Sequence, residues 1–543
     1  MPGGSGYSLL PDGRELVAYA HDVANRDETD VSGGLGIPSD ELRRFAQAFS
    51  TLADEVHTLA ERGVSELAQR LAAHLGASPG DLSVLAQEVP AYQLVDVQVA
   101  LDRWATEIAD RSIEVIGVSG AHRHFESLSD LVAEGTGARV GSVDYVDMPD
   151  SPDSTRSCVR FGIFLMGEGP QRAAALLRGA SPHGPMQEAM IEVIAPELDF
   201  GRAILAELRG LAVEFSVLRG QVLTIGPGEG HQYGDLRFMH RPHLEREQLV
   251  LPEVTLERIE RHVIGIAAES IRLKAAGQHL KRGVLLYGPP GTGKTHTVRY
   301  LLSRQRDVTA FVLSGQALAL VAQVCGLARL LQPSIVILED IDLIAPDRSF
   351  GPLGTSPLLF EVLNQIDGLD DDVDVTFLLT TNRVDILERA LAERPGRVDA
   401  AVEIGPPDSI GRARLFRLYG GEVALGDMSD EELAGAVEAT EGRTATYIRE
   451  VVRRAVMATA AIQEAGPLRV DGAALIEAAT GLAEDHVVLS RSLFGGDEEP
   501  DADAMLAGRP PWGPVNVARI MRGGGWVGYA PRGGPPRPFG PDQ

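Results

Sequence analysis

An octapeptide near the middle of the chain has residue types and spacing suited to holding phosphate groups. Residues 288–295 read Gly-Pro-Pro-Gly-Thr-Gly-Lys-Thr, which fits the pattern G-x-x-x-x-G-K-[ST]. Glycines let backbone N–H groups turn towards phosphate oxygens, and the N-terminus of a following helix adds partial positive charge. In this pattern Lys294 reaches the β- and γ-phosphates, and Thr295 offers its hydroxyl to Mg²⁺. We predict a nucleoside triphosphate site formed by Gly288, Pro289, Pro290, Gly291, Thr292, Gly293, Lys294, Thr295 and His296.

Further along the chain, two apolar runs end in polar side chains that could complete such a site. Glu339 and Asp340 follow the run Ile-Val-Ile-Leu at 335–338, and Asn382 follows an apolar run that begins at Phe377. One carboxylate in such a pair supports Mg²⁺ and the other polarises the attacking water. We assign Glu339 to the metal, Asp340 to the water, and Asn382 to positioning that water.

Two arginines lie close together in the turn Arg-Pro-Gly-Arg at 394–397. The fixed charge of arginine suits the stabilisation of a transition state from a neighbouring subunit. We therefore predict that Arg394 and Arg397 act on the site of an adjacent subunit.

The pattern of apolar residues predicts the elements that position these groups. The apolar residues 284–287 read as a strand, and the residues after the octapeptide read as the start of a helix. Strands and helices alternate over the predicted core, 241–408, which indicates a parallel sheet. Residues 409–490 read as a helical lid, with a capping-box pattern at 429–432. The fold class predicted for this half is α/β.

The N-terminal half carries no motif that we can assign. Residues 39–84 contain apolar residues at alternating spacings of three and four, which predict helices. Their stripe suits either the core of a small subdomain or a coiled coil. Residues 85–240 read as an α+β module, with helices at 95–108, 186–195 and 201–211 and strands at 113–118, 140–146, 158–166 and within 213–225.

Composition narrows the possible classes of protein. The chain has 543 residues and a formal charge of −27, which disfavours nucleic-acid binding in the absence of a long basic run. Only two cysteines are present, which disfavours a disulfide framework and fits a cytoplasmic location. We see no signal peptide and no membrane span, and we expect residues 1–38 to be flexible and 491–543, rich in Gly and Pro, to be disordered.

Together these motifs resemble the AAA family of ATPases over residues 250–485. The matching stretches are the phosphate loop (288–295), the acidic strand end (335–342), Asn-x-x-Asp-Gly (364–368), Thr-Thr-Asn (380–382) and Arg-Pro-Gly-Arg-Val-Asp (394–399). Leu-Glu-Asp-Ile-Asp (338–342), together with the Thr-Thr-Asn and Arg-Pro-Gly-Arg-Val-Asp stretches, is most similar to the mitochondrial AAA translocases of the Rieske iron–sulfur protein. The resemblance implies ATP and Mg²⁺ as ligands, ATP hydrolysis as the reaction, and a homo-oligomeric ring, either a hexamer or a heptamer.

Three departures from the family pattern affect the functional prediction. The usual Asp-Glu order is reversed in Glu339-Asp340, so an alternative assignment makes Glu339 the base. The segment 314–326, where protein unfoldases of the family carry an aromatic pore loop, has no aromatic residue, which disfavours threading. The lid turn at 442–446 lacks a clear sensor arginine, although Arg443 or Arg449 could serve.

These features favour an ATP-driven ring that remodels or translocates a protein partner. A second reading is an ATP-dependent assembly switch or scaffold with slow hydrolysis. A nucleic-acid motor is the least favoured reading, because the chain is acidic.

Overall fold

The computed structural model describes most of the chain between residues 65 and 494. The described ranges are 65–106, 112–120, 127–133, 137–169, 171–180, 188–226, 235–344, 373–383, 398–425, 428–463 and 466–494, with residues 48, 51, 364, 365 and 368. The segments predicted to be flexible or disordered, 1–38 and nearly all of 491–543, lie outside these ranges, as do Arg394 and Arg397. The chain divides into two compact units. The first comprises Met1–Arg246, Glu257–Leu286 and Thr295–Val402, and the second comprises Glu247–Leu256, Tyr287–Lys294 and Glu403–Gln543.

The first unit contains an antiparallel sheet built from the N-terminal half of the chain. Its strand order is β1-β7-β6-β5-β2-β3, and β4 pairs with β5. The strands are β1 (Val84–Val89), β2 (Ile113–Ser119), β3 (Arg139–Gly141), β4 (Asp144–Pro149), β5 (Thr155–Glu168), β6 (Gln171–Arg178) and β7 (Ala189–Ile194).

Helices cover both faces of this first sheet because side chains alternate along the long strand β5. Phe164 and Met166 pack in the cluster that contains Trp104 of α2, whereas Phe161 packs with Leu71 of α1 in the opposite cluster. The helices are α1 (Glu66–Leu75), α2 (Leu94–Thr106), α3 (Leu128–Val132) and α4 (Leu198–Glu214). Short 3₁₀ turns follow at Pro79–Asp81 and Ala91–Gln93.

Two sequence predictions can be compared directly with this region. Leu67, Leu71 and Leu75 are fully buried, so this part of the apolar stripe faces the core. The helix predicted at 186–195 is wrong, because Ala189–Ile194 is a strand between β1 and β6. A short apolar run at the centre of a sheet has the same lack of periodicity as a buried helix segment.

The second sheet contains the predicted phosphate-binding strand. Its order is β14-β10-β13-β12-β11-β8-β9, and β8, β11, β12 and β13 run parallel. The strands β8 and β9, which the sequence analysis placed in the N-terminal module, thus extend this sheet. The strands are β8 (Val222–Gly226), β9 (Asp235–Met239), β10 (Arg282–Tyr287), β11 (Thr309–Ser314), β12 (Ser334–Glu339), β13 (Val375–Thr381) and β14 (Ala400–Glu403).

The helices between these strands are short and partly irregular. Leu256, Ile259 and Val263, on the helix and π-helical turn that precede the phosphate-binding strand, are fully buried. The elements are α5 (Glu253–Glu260), a π-helical turn (Arg261–Gly265), α6 (Ile266–Ala268), α7 (Ser270–Ala275), α8 (Lys294–Arg304) and α9 (Val321–Leu330). The 3₁₀ turns lie at Arg246–Gln248, Gly315–Leu320 and Ile341–Ile344.

The C-terminal part of the second unit is helical, as the sequence predicts. Its helices are α10 (Ser409–Leu425), α11 (Asp430–Ala439), α12 (Ala445–Ile462) and α13 (Gly472–Phe494). Ser429 and Glu432 form both halves of the predicted capping box at the start of α11. Phe416, Ile448, Val451 and Leu475 are fully buried at the centre of this group.

Candidate active site

The phosphate loop lies between β10, which ends at Tyr287, and α8, which begins at Lys294. All three of its glycines have positive φ angles that other residues adopt rarely, 148° at Gly288, 80° at Gly291 and 114° at Gly293. At the first two, a side chain would also meet neighbouring atoms. A Cβ at Gly288 would lie 2.2 Å from the carbonyl oxygen of Ile404. A Cβ at Gly291 would lie 2.8 Å from Oγ1 of Thr446. Both positions therefore require glycine.

The lysine of the loop is held by the loop itself. Lys294 is only 6% exposed. Its Nζ donates to the carbonyl oxygens of Gly288 and Pro289, each at 2.8 Å. The hydroxyl of Thr292 donates to the same Pro289 carbonyl at 2.9 Å. The loop therefore fixes the position of the ammonium group that would meet the phosphates.

The N-terminus of helix α12 contacts the loop within the second unit. The backbone N of Thr446 donates to the carbonyl oxygen of Gly291 at 3.1 Å, and its Oγ1 donates at 3.3 Å. Arg443, one of the two candidate lid arginines, places its guanidinium 5.0 Å from the ring centroid of Tyr447. Arg449, the other candidate, is exposed on α12. The backbone at the start of α12, rather than either arginine, makes the lid's recorded contact with the loop.

A cavity of about 170 Å³ lies next to the loop in the second unit. Its walls are formed by residues at the start of α5 and just before it, by Thr292 of the loop, and by the start of the lid. They include the apolar Val250, Leu251, Pro407 and Leu415 and the charged Glu253, Asp408 and Arg414. A flat heteroaromatic ring needs stacking surface and a few edge hydrogen bonds, and this mixed lining offers both.

Glu339 ends β12 in the first unit, close enough to the Thr295 hydroxyl for that group to lower its pKa. Its Oε1 is buried and has no hydrogen-bond partner among the described residues. Burial raises the pKa of Glu339, Asp340 raises it further, and the Thr295 hydrogen bond and Arg299 oppose the shift. A carboxylate oxygen and a threonine hydroxyl are ligands that Mg²⁺ accepts, so this pair fits the ion.

Asp340 follows Glu339 but has a different environment and a strained backbone. Its φ is +50°, in the left-handed region. Its backbone N donates to Oγ1 of Thr380 at 3.0 Å, which helps to hold this conformation. Its Oδ1 accepts from Nδ2 of Asn382 at 3.3 Å. The turn therefore separates two adjacent carboxylates, so that one meets Thr295 and the other meets Asn382.

A third acidic residue, Asp342, supports this arrangement although the sequence analysis gave it no role. Its Oδ1 accepts from Oγ1 of Thr381 and from the backbone N of Asn382, each at 3.0 Å. These bonds fix the end of β13 against the turn after β12. Asp342 was visible in the acidic stretch 339–342, but its partners lie about forty residues further along the chain. Thr380 and Thr446 were quoted within motifs, and only the fold reveals their contacts.

The predicted site residues thus belong to two different compact units of the chain. Gly288 to Lys294 and the lid belong to the second unit. Thr295, Glu339, Asp340 and Asn382 belong to the first unit, where they form two side-chain pairs. His296 follows Thr295 on α8 and is half-buried.

Sequence comparison agrees with this geometry. The profile of the family described as "ATPase family associated with various cellular activities (AAA)" matches residues 284–406. Residues 284–406 are an AAA ATPase domain. The predicted α/β fold with a parallel phosphate-loop core is thereby confirmed, and the AAA domain accounts for the predicted ATP-binding and ATPase character.

Curated relatives match the AAA domain and its neighbouring residues. A proteasome-activating nucleotidase of Methanoculleus marisnigri is 34% identical over 188 residues, which are 32% of this chain and 45% of that protein. The 26S proteasome regulatory subunit 6A of Encephalitozoon cuniculi is 35% identical over 175 residues, 30% of this chain and 43% of that protein. An ATP-dependent zinc metalloprotease FtsH of Rhodococcus erythropolis is 31% identical over 230 residues, 40% of this chain and 26% of that protein. The chain thus spans less than half the length of these relatives.

None of the described helices combines the length and apolar character needed to cross a bilayer.

Proposed function

We propose that this chain hydrolyses ATP with Mg²⁺ and that a ring of its copies uses the cycle to remodel or translocate a protein partner. The observation that carries the chemical part is the separation of two adjacent carboxylates, Glu339 beside Thr295 and Asp340 beside Asn382. A hydrolytic site needs one acid for the metal and another for the water, and this turn supplies both.

Each residue then has a defined task. The loop amides and Lys294 bind the phosphates, and the cavity beside Thr292 binds the adenine ring. Thr295 and Glu339 hold Mg²⁺, which when bound neutralises charge that develops on the phosphate oxygens. Asp340 accepts a proton from the attacking water, and Asn382 orients that water.

The assignment of the two carboxylates can be tested by exchanging each for its amide. Asp340→Asn is expected to lower kcat by about 10²–10⁴-fold and to leave ATP affinity intact, because the base is lost and the cradle is kept. Glu339→Gln is expected to raise the Mg²⁺ concentration required for half-maximal turnover by about 10–100-fold. If Asp340→Asn keeps the wild-type turnover and Glu339→Gln loses it at saturating Mg²⁺, the two roles are reversed.

Arg394 and Arg397 complete the proposal, because an arginine that acts on a neighbouring site requires an oligomer. Mixing Arg397→Ala subunits with Asp340→Asn subunits tests this directly. Each variant alone is expected to be inactive. In mixed rings, an intact site of an Arg397→Ala subunit receives the arginine of its Asp340→Asn neighbour, so turnover should reappear. If turnover does not reappear in rings shown to be mixed, the arginine does not act between subunits.

The protein partner is inferred from the relatives and from the family resemblance. The named relatives include a proteasome-activating nucleotidase and an ATP-dependent protease. The finer resemblance, to mitochondrial translocases of a folded iron–sulfur protein, rests on the Leu-Glu-Asp-Ile-Asp stretch at 338–342. The proposed ring is a hexamer or a heptamer in the cytoplasm, a location that two buried free cysteines suit.

One observation favours the alternative of a slow assembly switch. Leu318, Val321 and Val324, in the segment where family unfoldases carry a pore loop, are fully buried. The segment is a 3₁₀ turn followed by α9. Turnover measured with and without an unfolded polypeptide, together with ring size by light scattering, separates the two functions. Stimulation by the polypeptide favours remodelling, whereas unchanged slow turnover with ATP-dependent assembly favours the switch.

A further inference from the structure

Arg219 joins the helix layer of the first sheet to the base of the second sheet. Its Nε donates to the carbonyl oxygen of Val213 at 2.7 Å, within helix α4. Its Nη1 donates to the carbonyl of Gln332 at 2.9 Å, and its Nη2 donates to that of Leu330 at 3.1 Å. The planar guanidinium therefore fixes three backbone carbonyls from two parts of the first unit at once.

The segment that carries Arg219 is also fixed from the side of the first sheet. Asp96 of α2 accepts from the hydroxyl of Ser216 and from the backbone N of Val217, each at 2.9 Å. Asp96 is 3% exposed, so these bonds lie in the interior. A movement of α2 and α4 would therefore be passed to Arg219 rather than absorbed by a loose linker.

Two of the carbonyls held by Arg219, those of Leu330 and Gln332, lie just before β12, which leads to Glu339 and Asp340. Gln332 is two residues before Ser334, the first residue of β12, and Glu339 is the last. The hydroxyl of Ser334 also donates to the carbonyl of Ala328 at 2.9 Å, so the end of α9 and the start of β12 are tied. Residues 335–338 are at most 1% exposed, so the strand is packed on all sides. A strand packed this tightly shifts as one rigid element along its length of about 17 Å.

We propose that Arg219 is a positioning residue that couples helix α4 to the Glu339–Asp340 turn, and so links the N-terminal sheet to ATP turnover. This inference rests on the proposed ATP hydrolysis at that turn. The coupling is reciprocal: nucleotide at the site changes the mobility of α4, and a partner that holds α4 changes turnover.

A second arginine provides a matched control. Arg241 donates from Nη1 to the carbonyls of Leu302 and Gln305, and from Nη2 to those of Gly220 and Val308. The chemistry is the same. Because Gly220 follows Arg219, an Arg241 variant loosens the same segment, but it leaves the bonds of Arg219 to Val213, Leu330 and Gln332 in place. An Arg241 variant should lose comparable stability without breaking the link to α4.

The experiment compares Arg219→Gln, Arg219→Lys and Arg241→Gln in the full-length chain. Hydrogen exchange of the amides in 198–221 is measured with and without ATPγS–Mg²⁺, after binding of that nucleotide has been measured by calorimetry. In the wild type and in Arg241→Gln, the nucleotide is expected to change exchange rates by about threefold or more. In both Arg219 variants the change should disappear. The Lys variant retains the charge but not the fork of donors, so it remains informative if Gln impairs folding.

Turnover supplies a second measurement. Arg219→Lys is expected to change kcat by about threefold to tenfold with KM for ATP within a factor of two, because Arg219 contacts no residue of the phosphate loop. A nucleotide effect on 198–221 that persists in the Arg219 variants overturns the inference. A wild-type chain that binds ATPγS without changing these amides overturns the inference alone. A wild-type chain that does not bind ATPγS overturns the proposed function as well.

Discussion

The two sheets of the first unit have the same number of strands but concentrate chemistry very differently. In the second sheet, β12 and β13 run parallel, so Glu339 and Thr381 end at the same edge, where Asp340 and Asn382 follow. In the first sheet, every recorded pair is antiparallel, so successive strand ends alternate between two edges. Parallel order gathers polar strand ends that are far apart in sequence, whereas antiparallel order distributes them.

One carboxylate from each sheet shows a related difference in hydrogen bonding. In the first sheet, Arg178 and Glu192 form a buried ion pair, and the other oxygen of Glu192 accepts from the backbone N of Leu128 at 2.5 Å. That carboxylate has both oxygens occupied. In the second sheet, Glu339 keeps an oxygen without a partner among the described residues. We infer that the Glu192 carboxylate fixes structure, while the open oxygen of Glu339 is available to a ligand.

The largest expected effect tests whether the ion pair of the first sheet is purely structural. Arg178→Met should lower the free energy of unfolding by about 3–5 kcal/mol, because it leaves the buried Glu192 carboxylate without its charge partner. Denaturant unfolding followed by a first-sheet probe measures the loss. Adding Glu192→Gln in the same chain should recover most of it. A direct loss of ATP affinity in the folded variant would contradict the division between the two sheets.

The next effect tests the phosphate loop. Lys294→Ala should reduce kcat/KM for ATP by about 10²–10³-fold, because the charge that meets the phosphates is removed. Thermal unfolding should change little in comparison with Arg178→Met. Lys274→Ala, on the exposed face of α7, is the control and should retain affinity. Equal ATP affinities of the two lysine variants would show that the loop is not part of the nucleotide site.

Replacing a glycine by alanine should change the free energy of unfolding in opposite directions in the two regions. Gly288→Ala should destabilise the loop by about 1–3 kcal/mol and weaken ATP binding, since its Cβ would overlap the Ile404 carbonyl. Gly210→Ala in α4 has open space around its Cβ and should stabilise the chain by about 0.5–1 kcal/mol. Unfolding curves and ATP titrations of both variants check this contrast. Equal effects at the two sites would refute it.

The smallest effect concerns the pH dependence of the junction between the sheets. Burial raises the pKa of Asp96 to about 6, so the native state binds more protons than the unfolded chain between its two pKa values. Stability from this group therefore falls as pH rises from about 4 to about 6 and no longer changes above about pH 7. Asp96→Asn should remove that slope. The measurement is the difference between wild-type and variant unfolding at each pH, and parallel curves would contradict the assignment.

The sequence by itself predicted the chemistry that we propose for the second sheet. The residues at 288–295, 339–340 and 382 can be predicted from local sequence. Phosphate, metal and water each require particular residue types at short spacing. The capping box at 429–432 could be predicted for the same reason, because its two hydrogen bonds form within one helical turn.

Only the tertiary structure decided which groups meet across long stretches of chain. It gave the side chains of Glu339 and Asp340 different neighbours through a left-handed turn, and it gave Asp342 its partners on β13. It placed β8 and β9 in the second sheet and showed Ala189–Ile194 to be a strand. Pairing of distant strands depends on the burial of whole faces, and a local pattern does not encode it. The link through Arg219 is of the same kind, because its carbonyl partners in α9 and before β12 lie more than a hundred residues away along the chain.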